Sequence, residues 1–562
     1  MANCWGAKTS ALFNMLERKP ARKYQEESWK IFFEDALKKN NILLIHLPCG
    51  YGKTAIGIMP YLVQVESDEW TIAPRLIYVL PMRNLANQVA EKISEEWLQS
   101  LAKKSDLAKR IKVKVHHGEN LESPYFFADI VVTTLDSFLI AYTRRNVYPY
   151  SSGRKHPDFS SGSVGLSMVV FDEAHLYHGE SGLTFSLIRE LLRCLSKAGV
   201  PTIVMTATLP DRFKQTLFAD IQLKEVSYEY DEKFEKEFKK SYELKLQDND
   251  KILCNNNLRR IEEAKSTLIV CNTVSKAQHI YKELNGRYDN VKLLHSRFTS
   301  FDRKRIWNEI KEKLHQKGLI LVTTQVCEAG FDFSFDILIT ECSPADSLVQ
   351  RVGRVARWGG HGSLDIVKPK SEIPYIEGSV SRTWEWLEAN KKRLDFSLFT
   401  SMEGKIGTTD FIDQTVSDIY TQTLLKETLN KLRALIDFGR NSLFSYTYNE
   451  PIKVRDDDPV TLIKLHEDQY DDAGFPRLNC IIPHKDFMEM AFSVDIKWLR
   501  KHKDELIIFQ RDREACQYTL VWDYKVNGFR ISKAEGDIRP WFRYVLVRDA
   551  YKKNLGCKVG AI

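Results

Sequence analysis

The stretch NILLIHLPCGYGKT, residues 41–54, constrains the fold more than any other part of the chain. A short apolar run stops at a glycine-punctuated loop, and a helical pattern opens directly after it. An apolar strand of this kind belongs in a parallel sheet covered on both faces, with helices making the crossovers. Gly50 and Gly52 let successive backbone N–H groups curl around an anion, and the helix N-terminus adds a favourable dipole. Lys53 is then placed to reach the β and γ phosphates of a nucleotide, and Thr54 to hold Mg2+. Leu47 departs from the broader phosphate-loop pattern, which asks for a small residue there.

The same grammar repeats downstream. RLIYVLP (75–81) leads into Met82, Arg83, Asn84 and Gln88, and ADIVVTTLDSFL (128–139) delivers Thr133, Thr134 and Asp136. LSMVVFDEAHLY (166–177) brings Asp172 and Glu173 to a strand end, with His175 two residues on. Paired carboxylates there suit one Mg2+ ligand, Asp172, and one acceptor for the proton of an attacking water, Glu173. PTIVMTATLP (201–210) carries Thr206 and Thr208, two hydroxyls placed to relay nucleotide state to a second lobe. Small polar groups at the carboxyl ends of parallel strands are where open α/β sheets take ligands. Taken singly, Asp136 also reads as a helix cap, and His116–His117 as structural. Upstream, Gln25 has the donor and acceptor pair that matches adenine, though a lone surface glutamine looks the same.

A charge-dense stretch, 228–265, reads as a hinge or exposed hairpin. A second strand–helix alternation follows in STLIVCNT (266–273), VKLLHSRF (291–298), LILVTT (319–324) and DILITECS (336–343), with Thr273, His295 and Arg297 at strand ends. On a helix, Gln350, Arg354 and Arg357 would share one face. Paired guanidinium donors suit polyphosphate, although a solvated basic helix gives the same pattern. Two such lobes point to one ATP held in the cleft between them.

At 562 residues the chain is too long for one core. Its net charge of +7 is compatible with a polyanionic partner without requiring one. The ten cysteines show neither zinc spacing nor a disulfide framework, which fits a reducing compartment. No apolar run is long enough to span a bilayer, so a membrane is not expected as partner.

The ordered set Gln25, GYGKT, LPMRNLANQ, TTLD, DEAH, TATLP, TTQVCEAGFDF and QRVGRVAR resembles superfamily 2 helicases of DEAH type. LLHSRFTSFDRKR (293–305), TTQVCEAGFDFSFD (323–336) and PADSLVQRVGRVAR (344–357) look like the CRISPR-associated helicase of type I interference systems. The resemblance spans about residues 20–360. It implies an α/β fold of two tandem RecA-like parallel-sheet lobes, residues 1–225 and 226–400, with a C-terminal accessory α+β domain over 401–562.

It also implies ATP and Mg2+ as cofactors, and roles for particular residues. Arg354 and Arg357 match arginine fingers, Gln350 a sensor of water or of His175, and Gly330 with Asp332 the coupling of nucleotide to lobe closure. Arg83, Thr134, Thr273 and Thr323 match positions that grip a nucleic-acid backbone. The implied partners are single-stranded DNA, translocated 3′ to 5′, and the crRNA-guided surveillance complex Cascade in a prokaryotic cytoplasm. The family's usual N-terminal HD nuclease has no counterpart here, since His484–Lys485–Asp486 is the nearest approach to a His-Asp dyad. A separate HD nuclease subunit is therefore expected, as in type I-A systems. An RNA or DNA-repair helicase of the same superfamily, or an ATP-gated clamp, is the alternative.

Over residues 381–440, TWEWLEANKKRLDF and DQTVSDIYTQTLLKETLNKLRALIDF read as helices that bridge back over the lobes; Asp456–Asp458 reads as a linker. ELIIFQ, CQYTLVWDYKVNGFRISK and YVLVRD read as strands, with Asn527–Gly528 as a hairpin turn. Arg511, Arg513, Lys525, Arg530, Arg539 and Arg543 interleave with Tyr518, Trp522, Tyr524, Phe529, Trp541 and Phe542. That mixture suits a single strand of nucleic acid and equally a small β core with a charged rim.

Overall fold

The computed structural model describes residues 2–39, 41–118, 120–123, 125–142, 157–174, 183–313, 318–328, 333–422, 459–478, 480–511, 514–523, 528–534, 536–539 and 542–557. The first lobe is built on eight strands, β1 (Ile42–His46), β2 (Arg75–Leu80), β3 (Val113–His117), β4 (Asn120–Leu121), β5 (Ile130–Thr134), β6 (Ser167–Phe171), β7 (Thr202–Thr206) and β8 (Leu223–Ser227). Their order across the sheet is β4-β3-β5-β2-β6-β7-β1-β8, parallel throughout except for β4. Because the strands run one way, the Gly loop, Asp172, Thr206, Arg83 and Thr134 all emerge at one sheet edge.

Successive residues of these strands enter two different cores. Leu43, Ile45, Tyr78, Val132, Val170 and Met205 pack on one face. Ile42, Leu44, Ile77, Val79, Val169, Phe171 and Val204 pack on the other, in a core continuous with the second lobe. A two-residue period in side-chain direction, acting on strands with no polar face, produces this division.

The second lobe has six parallel strands, β9 (Lys240–Gln247), β10 (Ser266–Val270), β11 (Val291–Leu294), β12 (Leu319–Thr323), β13 (Ile337–Glu341) and β14 (Gly360–Val367), ordered β11-β12-β10-β13-β14-β9. The charge-dense segment is not a hairpin. It supplies helix Glu232–Glu237, edge strand β9 and helix Asn255–Glu263. In β9, Tyr242, Leu244 and Leu246 alternate with polar residues and pack on the core, a period-2 signal diluted by the charges around it.

The third unit joins β15 (Pro459–Ile463), β16 (Ile481–Pro483), β17 (Ala491–Asp495), β18 (Phe509–Arg511), β19 (Glu514–Asp523), β20 (Gly528–Ala534) and β21 (Arg543–Val545) in one largely antiparallel sheet. A small hairpin of β22 (Tyr551–Lys552) and β23 (Gly556–Cys557) follows. ELIIFQ is only partly strand, because helix Ile496–Leu506 runs into it and buries Leu506 and Ile507. Tyr518 and Phe529 lie in this unit's core, whereas Phe542 is exposed beneath the Arg539 guanidinium. Arg543 sits over Phe487 and Phe529, and Arg530 pairs with Asp523. Arg513, Tyr524, Lys525, Asn527, Trp541 and Asp456–Asp458 lie outside the described residues, as do the side chains of Arg511 and Trp522.

No helix among the described residues is long and apolar enough to cross a membrane. The cysteines described are free thiols.

Candidate nucleotide and nucleic-acid site

The Gly loop turns through two left-handed glycines, Gly50 at φ +84° and Gly52 at φ +94°, before helix Lys53–Ser67 begins. A side chain at Gly52 would be strained by that φ, and its Cβ would stand 2.6 Å from Gln25 Nε2, so Gln25 would have to shift. Gln25 is buried, donates to the Gly52 carbonyl at 3.3 Å and accepts from the Arg22 amide at 3.0 Å. Arg22 donates to the Gly50 carbonyl at 2.8 Å and pairs with Glu237 at 3.0 Å. Lys53 folds back on the loop, its Nζ donating to the carbonyls of Leu47 at 3.1 Å and Pro48 at 3.3 Å.

Across the loop, Asp172 is buried at the end of β6, and its Oδ1 accepts from the Glu173 amide at 2.9 Å. Glu173 takes the left-handed conformation, φ +52°, which a residue with a side chain adopts only where its surroundings hold it. Burial, reinforced by the Glu173 carboxylate, pushes Asp172 above the usual carboxylate range. A buried carboxylate in that condition is poised to gain from a cation. Asp172 and the Thr54 hydroxyl are hard oxygen donors, and Mg2+ typically takes one or two such protein groups together with phosphate oxygens and water. The pair fits that ion.

From the second lobe, helix Ala345–Val352 carries Gln350, whose Oε1 accepts from the Cys49 thiol of the Gly loop at 3.7 Å. Arg354 and Arg357 do not continue that helix, which ends before Gly353. Tight turns follow, with Arg354 N on the Arg351 carbonyl at 3.0 Å and a left-handed Ala356 at φ +46°. The turns still bring the two guanidinium groups together. Arg354 is buried, and burial and the Arg357 charge depress it to about 10, while Glu173 across the cleft pulls the other way. Arg354 donates to the Glu328 carbonyl, and Arg357 lies 5.2 Å from the Trp358 ring.

The remaining predicted residues are dispersed around this cleft. Thr206 Oγ1 and the 208 backbone bond one another at 2.8 and 3.2 Å, tightening the turn after β7. Arg83 opens helix Arg83–Glu91 and packs over Gly118. Thr273 caps helix Val274–Asn285, accepting from the Lys276 amide. Thr134 and Thr323 are buried, with hydroxyls on Ser137 Oγ at 3.2 Å and the Leu294 carbonyl at 2.7 Å. His116 and His117 are buried too. His175, Gly330 and Asp332 lie outside the described residues.

Three participants escape the sequence reading. Tyr78 donates to Asp172 Oδ2 at 2.6 Å, and Cys49 meets Gln350. Arg351 is fully buried, with Nε on Glu328 at 2.8 Å, Nη1 on Thr340 and the Glu341 carbonyl at 2.9 Å, and Nη2 on Asn272 at 3.0 Å. The lone phenol in the aliphatic run RLIYVL was the available signal, since a buried hydroxyl must find a partner.

Residues 22–216 match the family model of DEAD/DEAH box helicases, and residues 263–359 the model of the C-terminal part of the CRISPR-associated nuclease/helicase Cas3. The chain carries a DEAD/DEAH-box helicase domain and is similar to Cas3. Among its relatives is the CRISPR-associated helicase Cas3 of Thermoproteus tenax, 28% identical over 78% of this chain and 74% of the relative. A putative CRISPR-associated nuclease/helicase Cas3 of Methanocaldococcus jannaschii is 25% identical over 80% of this chain, which spans 62% of that relative. The helicase shares its fold with T. fusca Cas3 bound to ATP, at a TM-score of 0.62 and 17% identity over 92% of this chain and 71% of that one. A chain of a CRISPR RNA-guided surveillance complex in a pre-nicking state gives 0.52 at 17% identity, over 83% of this chain and 62% of that one.

Proposed function

We propose that this helicase is an ATP-driven translocase on single-stranded DNA that unwinds target DNA in type I CRISPR interference, moving 3′ to 5′. The observation that carries the reading is the meeting of two half-sites across one cleft. The Gly loop and the Asp172–Glu173 pair face it from one sheet, and Gln350 and Arg354 from the other.

In this reading Lys53 exchanges two loop carbonyls for phosphate oxygens, and Arg354 leaves the Glu328 carbonyl for the terminal phosphate. Thr54 and Asp172 would hold Mg2+, which when bound neutralises phosphate charge. Glu173 takes the proton of the attacking water, held in place by its fixed backbone and the guanidinium opposite. Gln350 on the Cys49 thiol reports closure of the lobes. Gln25, with Gly50 and Gly52 at its side, reads the adenine once its amide leaves the Gly52 carbonyl. His175, Gly330, Asp332, Thr206 and Thr208 couple hydrolysis to lobe movement. Arg83, Thr134, Thr273 and Thr323 line the strand's path, Thr134 and Thr323 acting through the turns their buried hydroxyls brace.

The strand then passes to a separate HD nuclease subunit. In support, the relative whose name carries the helicase alone is matched over 74% of its length, and the one named nuclease/helicase over 62%. Recruitment by a Cascade-type surveillance complex is supported by the fold shared with a chain of such a complex.

The test is ATP hydrolysis by the purified chain with single-stranded DNA, single-stranded RNA and duplex DNA. Stimulation by single-stranded DNA, lost by a factor of at least about 100 in Glu173→Gln and Lys53→Ala, is expected. Stimulation by RNA alone would replace this reading with an RNA helicase.

A further inference from the structure

Tyr78 lies on β2, beside Val170 of β6 in the register of the sheet, and is fully buried. Its hydroxyl donates to Asp172 Oδ2 at 2.6 Å. A phenol has one proton, and a carboxylate only accepts, so the bond runs from Tyr78 to Asp172. Asp172 Oδ1 accepts from the Glu173 amide at 2.9 Å, so each carboxylate oxygen has its own donor.

The packing is built to permit this. Gly57 lies one helical turn after Thr54, on the same face of helix Lys53–Ser67. A Cβ at Gly57 would stand 3.3 Å from Tyr78 Cε2, 2.8 Å from Val170 Cγ1 and 3.1 Å from Met205 Cε. Glycine at that position lets the helix pack closely over the Tyr78 ring and hold the phenol where it meets Asp172.

We infer that Tyr78 is a positioning residue that orients the Asp172 carboxylate of the Gly-loop site toward a divalent cation. A carboxylate held at Oδ2 by a buried phenol, and at Oδ1 by a backbone amide, cannot swing away. Without the phenol, Oδ2 loses this donor and the carboxylate can rotate. The inference rests on the reading of Thr54 and Asp172 as the Mg2+ ligands, and adds to it a residue that touches neither nucleotide nor cation.

The test is binding of a fluorescent ADP analogue to wild type, Tyr78→Phe, Asp172→Asn and the double variant, each in EDTA and in Mg2+. Wild type should bind more tightly with Mg2+, and failure to do so would overturn the parent reading instead. Tyr78→Phe should lose roughly tenfold of that Mg2+-dependent gain, the usual scale for an outer partner of a metal ligand, with affinity in EDTA unchanged. Adding Tyr78→Phe to Asp172→Asn should cost less than adding it to wild type, because the phenol acts through that carboxylate. Equal losses in EDTA and Mg2+, or a Mg2+ gain that matches wild type, would sink the inference. Asp172→Asn approaches the same bond from the carboxylate side, and thermal melts of each variant separate a loss of binding from a loss of folding.

Discussion

Arg351 shows how far a single side chain can organise a lobe. It takes no exposed surface, yet ties Glu328, Asn272, Thr340 and the Glu341 carbonyl together. Arg351→Met leaves the Glu328 carboxylate buried without its partner, and should cost about 3–5 kcal/mol, seen as earlier chemical denaturation of the second lobe. Three buried histidines act in the opposite sense. Burial depresses His46 and His116 to about 4 and His295 to about 3. As pH falls, the unfolded chain takes up these protons near its ordinary histidine pKa of roughly 6.5, before the folded chain does. Stability should therefore fall from about pH 6.5 downward. His116→Leu, which removes two ring nitrogens that make no hydrogen bond, should flatten that slope without lowering the melting temperature at pH 7. At this scale the sequence is legible where chemistry sits beside a loop signal, as at Lys53 and Asp172. It is silent where a partner comes from another strand, as for Tyr78 and Arg351.

Among the elements, helix Thr408–Gln422 links both halves of the site. It packs against helix Asp211–Leu217, which follows the Thr206–Thr208 turn, and against the Gln350-bearing helix Ala345–Val352. Asp413 Oδ1 accepts from the Asp211 amide at 2.6 Å, and just before the helix Phe399 packs on His46. Burial, then the charges of Asp211 and Asp410, push Asp413 up to about 6. Its ionised form is thus disfavoured in the fold, a penalty present above pH 6 and relieved as pH falls through it. Asp413→Asn keeps the accepting oxygen and drops the charge, so thermal melts at pH 8 should show it as stable as wild type or more so. The apolar spacing of 408–422 marks a helix, but which helices receive it depends on contacts some 70 to 200 residues away in sequence.

At the scale of the whole molecule, the third unit is fastened to the second lobe at several points. Gln278 donates to the carbonyls of Leu555 at 2.7 Å and Cys557 at 3.0 Å, and Tyr551 donates to Asp302 at 2.7 Å. The Arg297 guanidinium lies 3.9 Å from the Trp498 ring. Tyr551→Phe should raise hydrogen exchange in residues 548–557 and at Thr299, whose amide donates to that phenol at 3.0 Å, while β10 and β12 stay protected. The two parallel sheets could be foreseen because each strand is a compact apolar run ending in chemistry. The third sheet was foreseen less well, since strands as short as Phe509–Arg511 borrow their apolar neighbours from an adjoining helix.

The sorting of alternate strand residues into two cores bears on what evolution can do with this chain. Substitution of one aliphatic by another within β1, β2, β6 or β7 leaves each side chain facing its own core. Insertion or deletion of a single residue reverses the facing of all that follow in the strand, and carries the loop chemistry at its end to the wrong side. Drift in residue identity, with strict retention of strand length, is the mode of divergence this architecture permits, and length variation is confined to the connections.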